Sequence, residues 1–230
     1  MKLADLTWIE VSEYIKKDNR LIVPVGTCEQ HSHHLPLNTD ILVCEYFAEY
    51  LSNKTGILLA PTVNYGVNLI CDQLYYGTAN ISENTLLNLL QEVIEWWDAQ
   101  GFKEFIFLSY HGEPLHIKAI EKVKGNCTVI ELYDIDYSGI LDKQDSVKHA
   151  CEGETSVMMY LYPERVRKAE ILDRYIEDDQ FNEYVKEKRL FDRNSFPGCV
   201  GYPSAATVEK GKEIVRRTEE KLLNLLENKF

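Results

Sequence analysis

An apolar run near the start of the chain, Leu21-Ile22-Val23-Pro24-Val25-Gly26, decides the fold. Its length and its β-branched residues predict a buried strand. Three more apolar runs, at residues 57–63, 102–108 and 127–132, alternate with segments of helical periodicity. Strands that alternate with helices predict an α/β fold in which a mostly parallel, doubly wound sheet is covered on both faces, as a three-layer α/β/α domain.

The segments between these runs carry helix boundary signals. Asp40 and Ser82 are candidate N-caps, and Gly56 and Gly101 are candidate C-terminal stops. Pro114 suits the first turn of a further helix. A long loop is expected between the second strand and the helix that Ser82 caps, and a loop of such length is usually functional.

The last third of the chain is predicted to be mainly helical. Residues 153–162 are predicted to form one helix, and residues 170–193 a charged surface helix with a loop. Residues 207–225 carry a helical apolar stripe despite Gly211, and we expect this helix to pack on the sheet. Because no linker or repeat divides the sequence, residues 1–230 are predicted to form one domain.

The composition argues against several classes of partner. The 230 residues include 37 acidic and 25 basic side chains, a formal net charge of -12. Such a field repels phosphate backbones and anionic lipids, so neither nucleic acid nor a membrane is expected as a partner.

The first residues contain no apolar signal segment, which predicts a cytoplasmic protein. Six cysteines without a Cys-x-x-Cys pair predict reduced thiols.

The histidines cluster in three places, each of which follows a predicted strand: His31, His33, His34, His111, His116 and His149. Carboxylates accompany them at Glu29, Asp40, Glu113 and Glu154. Ligands of open α/β sheets bind at the carboxyl ends of strands. A mixture of imidazole and carboxylate favours Zn²⁺, Mn²⁺ or Fe²⁺ over Ca²⁺. The sequence therefore predicts a transition-metal site, whereas His116, on the face of a helix, is interpreted as structural.

The first of these clusters resembles the signature of the creatininase (creatinine amidohydrolase) family, in which a strand runs into a Glu-x-His…His-Leu-Pro…Asp loop. Here the stretch reads Pro24-Val25-Gly26-Thr27-Cys28-Glu29-Gln30-His31-Ser32-His33-His34-Leu35-Pro36-Leu37-Asn38-Thr39-Asp40. Further matches follow in order at Tyr65-Gly66, Gly77-Thr78, His111-Gly112-Glu113, and His149-Ala150 with Glu154-Thr155-Ser156. The resemblance implies a creatininase-like fold and a hydrolase of carbon–nitrogen bonds other than peptide bonds.

The resemblance also implies two divalent metal ions, zinc or manganese, with iron also compatible. Glu29 and His111 would hold one ion, and His31 and Glu113 the other. Asp40 would bridge the pair, which can bind a hydroxide and polarise an amide carbonyl.

Three further residues match family positions around the metals. His149 matches the catalytic histidine, which gives a proton to the departing amide nitrogen. Glu154 matches an acid beside it with an orienting role, and His34 matches a histidine that supports the ligands without binding metal. His33 departs from the family pattern. It is either an added metal ligand or a side chain that points to solvent.

The implied function is hydrolysis of a cyclic amide or formamide by a hydroxide that bridges two metals. Removal of a formyl group from a pyrimidine intermediate and hydrolysis in a peptide-modifying pathway are alternatives within the family. Creatininase encloses creatinine with tryptophans in the segment that corresponds to residues 132–149, and this chain has none there, which argues against creatinine. In the loop before Gly77, many members have a histidine where this chain offers Cys71 or Asp72.

Other readings remain open at the level of sequence. Cys151 with His149, or Cys28 beside Glu29, would suit cysteine nucleophilic catalysis. A flavodoxin-like binding module is the non-enzymatic alternative, although the chain has no glycine-rich phosphate loop. Family members form hexamers as trimers of dimers, which implies a homo-oligomer; Trp96 and Trp97 are candidate interface residues, with Trp97 favoured as a core residue.

Overall fold

The structure is a computed structural model that describes residues 1–176 and 196–229. Its four strands pair only in parallel, in the order β2-β1-β3-β4. They are β1 (Arg20–Pro24), β2 (Leu58–Leu59), β3 (Glu104–Ser109) and β4 (Cys127–Glu131). The parallel α/β sheet predicted from the sequence is confirmed.

Six α-helices accompany the strands in the described residues: α1 (Trp8–Ile15), α2 (Thr39–Thr55), α3 (Glu83–Gln100), α4 (Pro114–Glu121), α5 (Glu152–Leu161) and α6 (Val208–Lys229). Ser82 caps α3 as predicted, since its Oγ accepts from the Thr85 backbone N–H at 3.1 Å. Gly101 ends that helix with a left-handed φ of 117°. Asp40 was expected at an N-cap, but it lies inside the first turn of α2.

The residues group into two compact units, which are described separately. Unit 1 comprises Met1–Thr27, Asp40–Val67 and Asn80–Tyr133, and contains the sheet. Unit 2 comprises Cys28–Thr39, Asn68–Ala79 and Asp134–Phe230, and contains α5 and α6. No helix within residues 1–176 and 196–229 is long and apolar enough to cross a bilayer. The surface helix predicted at residues 170–193 lies mostly outside the described residues.

Unit 1 is wound in two directions from β1. The chain runs from β1 out to β2, returns past β1 to β3 and continues to β4. Because crossovers between parallel strands are right-handed, this reversal places α2 on one face and α3 and α4 on the other. Helices α3 and α4 contact each other, and the Cys44 thiol of α2 donates to the Leu108 carbonyl of β3 at 3.2 Å. The doubly wound, three-layer arrangement is confirmed.

The second strand is shorter than the run at residues 57–63 predicted. Its continuation still follows β1, since the Ala60 N–H donates to the Ile22 carbonyl at 2.8 Å and the Val63 N–H to the Pro24 carbonyl at 3.0 Å. Pro61 lies between these two bonds and has no N–H to donate, so the ladder is interrupted there.

Helix α6 packs against α5 within unit 2. Gly211 lies at this helix contact. A Cβ atom at Gly211 would stand 1.9 Å from the Ser156 carbonyl oxygen and 2.9 Å from the Tyr160 Cβ. Gly211 has a low helix propensity, but its missing side chain allows the backbones of α5 and α6 to approach each other closely.

A buried ion pair joins the same two helices. Glu152 is fully buried at the start of α5, and the Lys210 ammonium lies 2.5 Å from its Oε1 and 2.7 Å from Asp142 Oδ2. Lys210 also donates to the Ala205 carbonyl at 2.7 Å. Burial lowers the pKa of Lys210, but the hydrogen bonds to Asp142 and Glu152 outweigh it, and the pKa is raised overall.

We expect Gly211→Ala to lower the free energy of unfolding by roughly 1–3 kcal/mol, because the methyl group would overlap the Ser156 carbonyl. Alanine in an exposed helix position would instead stabilise by about 1 kcal/mol. Urea unfolding measures the difference, with Lys212→Ala on the exposed side of α6 as the control. A more stable Gly211→Ala variant would contradict the close approach.

We expect Lys210→Met to destabilise the protein by about 3–5 kcal/mol, because it leaves the Glu152 carboxylate buried without its cation. The double variant Lys210→Met/Glu152→Gln removes both charges and should recover much of this loss. Urea unfolding of the two single variants and the double variant forms a double-mutant cycle. Additive effects would show that the pair does not act as a unit.

Candidate metal centre

Unit 2 brings together three of the sequence-predicted site residues: Glu29, His31 and His149. Each offers one metal-ligating atom, and these atoms lie within 4.8 Å of one another. Glu29 and His31 are each 1% exposed. The His31 and His149 ring centroids are 4.7 Å apart, and His149 Nδ1 is 3.9 Å from Glu29 Oε2. Two imidazoles and a carboxylate in this arrangement fit a divalent transition metal.

The loop that carries these ligands is held by the Gly77-Thr78 block. Thr78 Oγ1 accepts from the Gln30 N–H at 2.9 Å, and the Ala79 N–H donates to the Cys28 carbonyl at 2.9 Å. Gly77 has a φ of +90°, and a Cβ there would lie 2.4 Å from Leu37 Cδ1. A glycine is therefore needed where this block packs on the ligand loop.

The ring of His31 is oriented by its own loop. Its Nδ1 lies 3.1 Å from the Glu29 carbonyl oxygen. Because a carbonyl oxygen only accepts, this bond puts the proton on Nδ1 and the lone pair on Nε2. Nε2 is then the nitrogen that can bind a metal ion.

The segment around His149 is fixed by its backbone. The His149 carbonyl accepts from the Val200 N–H at 2.7 Å. Ala150, which is fully buried, has a φ of +45°, a conformation that alanine rarely adopts. Its N–H donates to Glu154 Oε2. Glu154 thus binds the backbone directly after His149, which agrees with an orienting role.

The other two histidines of the first cluster differ in environment. His34 is buried, and its Nε2 lies 2.9 Å from Thr155 Oγ1 of α5. Burial, together with the nearby His31 and His149, lowers the pKa of His34 to about 4, so the ring is neutral at physiological pH. His33 is exposed, so of the two alternatives left open by the sequence it is the solvent-exposed one.

Unit 1 brings Asp40 and His111 together. His111 Nε2 lies 2.8 Å from the Val67 carbonyl oxygen, and Nδ1 lies 3.4 Å from Asp40 Oδ2. The carbonyl requires the proton on Nε2, so Nδ1 of the neutral ring and the carboxylate oxygen are two acceptors that face each other. Burial lowers the pKa of His111, but the bonding to Asp40 outweighs it and raises the pKa overall. This position therefore favours a cation.

Glu113 combines a candidate ligand role with a capping role. Its Oε2 accepts from the His116 N–H at 2.7 Å, which caps α4, and the side chain is 7% exposed. Burial raises the pKa of Glu113. Across residues 1–176 and 196–229, neither Glu113 nor His34 belongs to a group of three ligand atoms of the kind that Glu29, His31 and His149 form.

His116 is a structural histidine, as the sequence predicted. It is fully buried, its Nδ1 accepts from the Val67 N–H at 3.3 Å, and its ring packs edge-on against His111. A Cβ at Gly66 would lie 2.5 Å from His116 Nδ1, so the Tyr65-Gly66 block makes room for this ring. The Val67 backbone thereby positions His111 and His116 together.

The cysteines do not support nucleophilic catalysis. Cys151 is fully buried, and burial raises the pKa of its thiol to about 12, far from a thiolate at neutral pH. The Cys28 thiol donates to the Gly77 carbonyl at 3.4 Å. Trp97 packs against the core of unit 1, as favoured, whereas Trp96 is 71% exposed.

Three residues near His149 were not predicted as site residues: Gln30 contacts His149, and its Nε2 lies 2.7 Å from both Asp72 Oδ1 and the Gly198 carbonyl oxygen. Gln30 lies between two predicted ligands, but an amide carries no titratable or ligating signal of its own. Asp72 drew attention only as a departure from the family pattern. Gly198 follows the charged segment that was predicted as surface structure.

A protein-family profile described as creatininase (creatinine amidohydrolase) matches residues 4–226. Among characterised relatives, creatinine amidohydrolase of Pseudomonas putida is 24% identical over 99% of this chain and 96% of its own length. The 3-dehydro-scyllo-inosose hydrolase of Thermotoga maritima is 27% identical over 69% of this chain and 55% of its own length. The mycofactocin precursor peptide peptidase of Mycobacterium ulcerans is 28% identical over 64% of this chain and 60% of its own length.

Solved structures show the same fold. A manganese form of creatininase has a TM-score of 0.84 at 20% identity, covering 100% of this chain and 98% of its own. A Zn-Zn form of a creatininase point mutant has a TM-score of 0.83 at 20% identity with the same coverage. The family profile spans nearly the whole sequence, and the signature residues lie in buried, metal-compatible surroundings. The chain therefore belongs to the creatininase family of hydrolases.

Proposed function

We propose that this chain uses two divalent metal ions to hydrolyse the carbon–nitrogen bond of a small cyclic amide or a formamide. Glu29 and His111 would hold one ion, His31 and Glu113 the other, with Asp40 as the bridging ligand. The observation that carries the proposal is the buried pair of His111 Nδ1 and Asp40 Oδ2 at 3.4 Å, which positive charge stabilises, either as a proton on the ring or as a bound metal ion. The buried carboxylate of Glu29 and imidazole of His31, whose ligand atoms lie within 4.8 Å of each other, support it independently.

The donor set indicates the chemistry. Two such ions would supply Lewis acidity for a carbonyl oxygen and would activate water as a hydroxide nucleophile at neutral pH. Zinc and manganese are the metals named for the similar structures, and Fe²⁺ suits the same imidazole and carboxylate donors.

His149 is the proposed proton carrier. In amide hydrolysis the new carbon–oxygen bond replaces the carbon–nitrogen bond, and the departing nitrogen needs a proton. The His149 ring lies beside Glu29 and His31, and its backbone is held by Val200 and, through Ala150, by Glu154. We therefore assign His149 as the catalytic residue, with Glu154 as a positioning residue and His34 as support through Thr155.

Creatinine itself is disfavoured as the substrate. Creatinine amidohydrolase is among the relatives, but this chain has no tryptophan between residues 132 and 149. The aromatic residues of that segment are Tyr133 and Tyr137. Removal of a formyl group from a pyrimidine intermediate is the first alternative. Hydrolysis in a peptide-modifying pathway is the second, and the resemblance to a mycofactocin precursor peptide peptidase supports it.

The proposal includes three further expectations about the whole protein. We propose a single catalytic domain, a cytoplasmic location, and a homo-oligomer built as a hexamer from three dimers. Sedimentation velocity tests the oligomer, and a monomer at micromolar concentration would contradict it. A binding module without hydrolytic activity is the competing class, which a tight nucleotide complex without turnover of any amide would favour.

We expect His31→Ala and Asp40→Ala to lose bound metal and turnover together, because each removes a buried ligand. Elemental analysis of the purified variants measures zinc and manganese per chain. His33→Ala is the matched control, since His33 is exposed in the same loop and should keep both metal and activity. A metal-free variant with full activity would contradict the proposed function.

We expect the metal-loaded enzyme to hydrolyse members of a panel of cyclic amides and formamides at least about tenfold faster than creatinine, a difference of about 1.4 kcal/mol. The physical reason is that the chain lacks the tryptophan enclosure. Mass spectrometry of released formate or ring-opened product, with and without a chelator, provides the measurement. Preferred turnover of creatinine would overturn the substrate assignment while leaving the metal assignment intact.

A further inference from the structure

We propose that Arg217 and Lys221 of α6 are positioning residues: they fix residues 134–148, the segment that leads to His149, and turnover depends on that contact. The inference rests on the proposed function, in which His149 carries the proton of the reaction. The 134–148 segment, α6 and His149 all belong to unit 2.

The 134–148 segment and α6 are joined by a row of ion pairs. Three basic residues lie on one face of the helix, seven and four positions apart: Lys210, Arg217 and Lys221. Their carboxylate partners follow in the reverse order along the chain: Asp142, Asp136 and Asp134. The first half of the segment therefore runs antiparallel to α6.

The cations bind the backbone of the segment as well as its carboxylates. Arg217 Nη1 donates to the Asp136 carbonyl at 2.6 Å and to the Ser138 carbonyl at 3.2 Å. Lys221 Nζ donates to the Asp134 carbonyl and lies 3.0 Å from Asp134 Oδ2. The Arg217 and Lys221 side chains are only 27% and 24% exposed. Charge-assisted bonds from such side chains fix the backbone more strongly than exposed ion pairs do.

The part of the segment that Arg217 binds is a preformed turn. The Asp136 carboxylate accepts from the Ser138 N–H at 2.9 Å and from the Ser138 hydroxyl at 2.7 Å. Tyr137, between them, is buried. On the side of the helix, Glu213 accepts from Arg217 Nε at 2.9 Å and so orients the guanidinium. Two carbonyl oxygens of one turn thereby meet one oriented cation.

The second half of the segment is bound to the start of α5. The backbone N–H groups of residues 142–143 donate to the Glu152 carboxylate at 2.9 and 3.2 Å. The Lys148 N–H donates to Cys151 Sγ at 3.4 Å, directly before His149. The segment is therefore attached at both ends, to α6 where it begins and to α5 where it reaches His149.

This attachment matters because the chain is strained directly after His149. Ala150 has a φ of +45°, and such a conformation persists only where the surrounding structure enforces it. The His149 ring lies 4.7 Å from the His31 ring, centroid to centroid. If the 134–148 segment leaves α6, the backbone before His149 is released and the imidazole leaves this position for part of the time. Small misplacements of a reacting group lower the rate steeply.

Removal of the two cations tests their role in turnover. We expect Arg217→Met/Lys221→Met to lower kcat by roughly 10–100-fold with KM and zinc content unchanged, because the proposed metal ligands lie elsewhere in the chain. The zinc-loaded protein is assayed with the cyclic amide or formamide that the wild type turns over fastest. Lys210 is left in place because it neutralises the buried Glu152.

Arg216→Met/Lys212→Met is the matched control. It makes the same change of net charge on the same helix, but Lys212 is exposed and Arg216 pairs with carboxylates of its own helix. We expect this control to retain kcat. Equal kcat in the two double variants would contradict the positioning role.

A charge-conserving exchange separates the cationic bonds from side-chain packing. Arg217→Lys/Lys221→Arg keeps a cation at both positions and should restore most of kcat. Equal loss in the exchange variant and in Arg217→Met/Lys221→Met would show that the cations do not act through these bonds.

Hydrogen–deuterium exchange supplies a readout that does not depend on turnover. In the zinc-loaded protein, we expect peptides from residues 134–148 to exchange at least about tenfold faster in Arg217→Met/Lys221→Met than in the wild type, since charge-assisted bonds no longer oppose local opening. Peptides from α5 should exchange as in the wild type. Unchanged exchange of the segment, or equal acceleration in α5, would overturn the inference.

The two proposals fail in distinguishable ways. If the wild type turned over no cyclic amide or formamide, the proposed function would be wrong and the positioning role would fall with it. If the segment exchanged faster in Arg217→Met/Lys221→Met while kcat was retained, the proposed function would stand and the positioning role of Arg217 and Lys221 would be wrong.

Discussion

Strand β1 pairs with β3 over its full length, from Arg20 opposite Glu104 to Pro24 opposite Leu108, and this ladder governs the rest of unit 1. It is the central pairing of the sheet, with β2 and β4 as the outer strands. The chain reverses its winding direction at β1, so the strands on either side of this pairing are reached by crossovers on opposite faces. Loss of this ladder would leave both helical layers without a common surface.

The segments that follow β1 and β3 bury several titratable side chains. Asp40 and Glu29 are each 1% exposed, and His111 is 6% exposed. Buried carboxylates are costly unless they are paired or coordinate metal ions. The buried pair of His111 and Asp40 is one place where positive charge, a proton or a metal ion, is stabilised, and part of the net charge of -12 belongs to such positions rather than to the outer surface.

Much of this organisation could be predicted from the sequence. The apolar runs predicted a parallel sheet, and the glycine and serine signals predicted the ends of α2 and α3, because these effects are local. The packing of α6 against α5 could not be predicted, since an apolar stripe indicates that a helix is buried but not what covers it. Gly211 could not be interpreted from propensity alone, because its role depends on a carbonyl of another helix.

The predicted site residues lie in buried surroundings except His149, which retains 15% side-chain exposure. What the sequence could not reveal is the set of groups that orient them, such as Gln30 and the backbone of Val67, since amides and backbone groups occur everywhere. Metal stoichiometry is the measurement that tests the central claim most directly. Isothermal titration calorimetry of the folded protein, after a chelator has removed its metal, should show two equivalents of Zn²⁺ bound per chain. Amidohydrolase activity should return as the Zn²⁺ binds. Full activity with fewer than two equivalents of Zn²⁺ bound, or with no Zn²⁺ bound, would contradict the account.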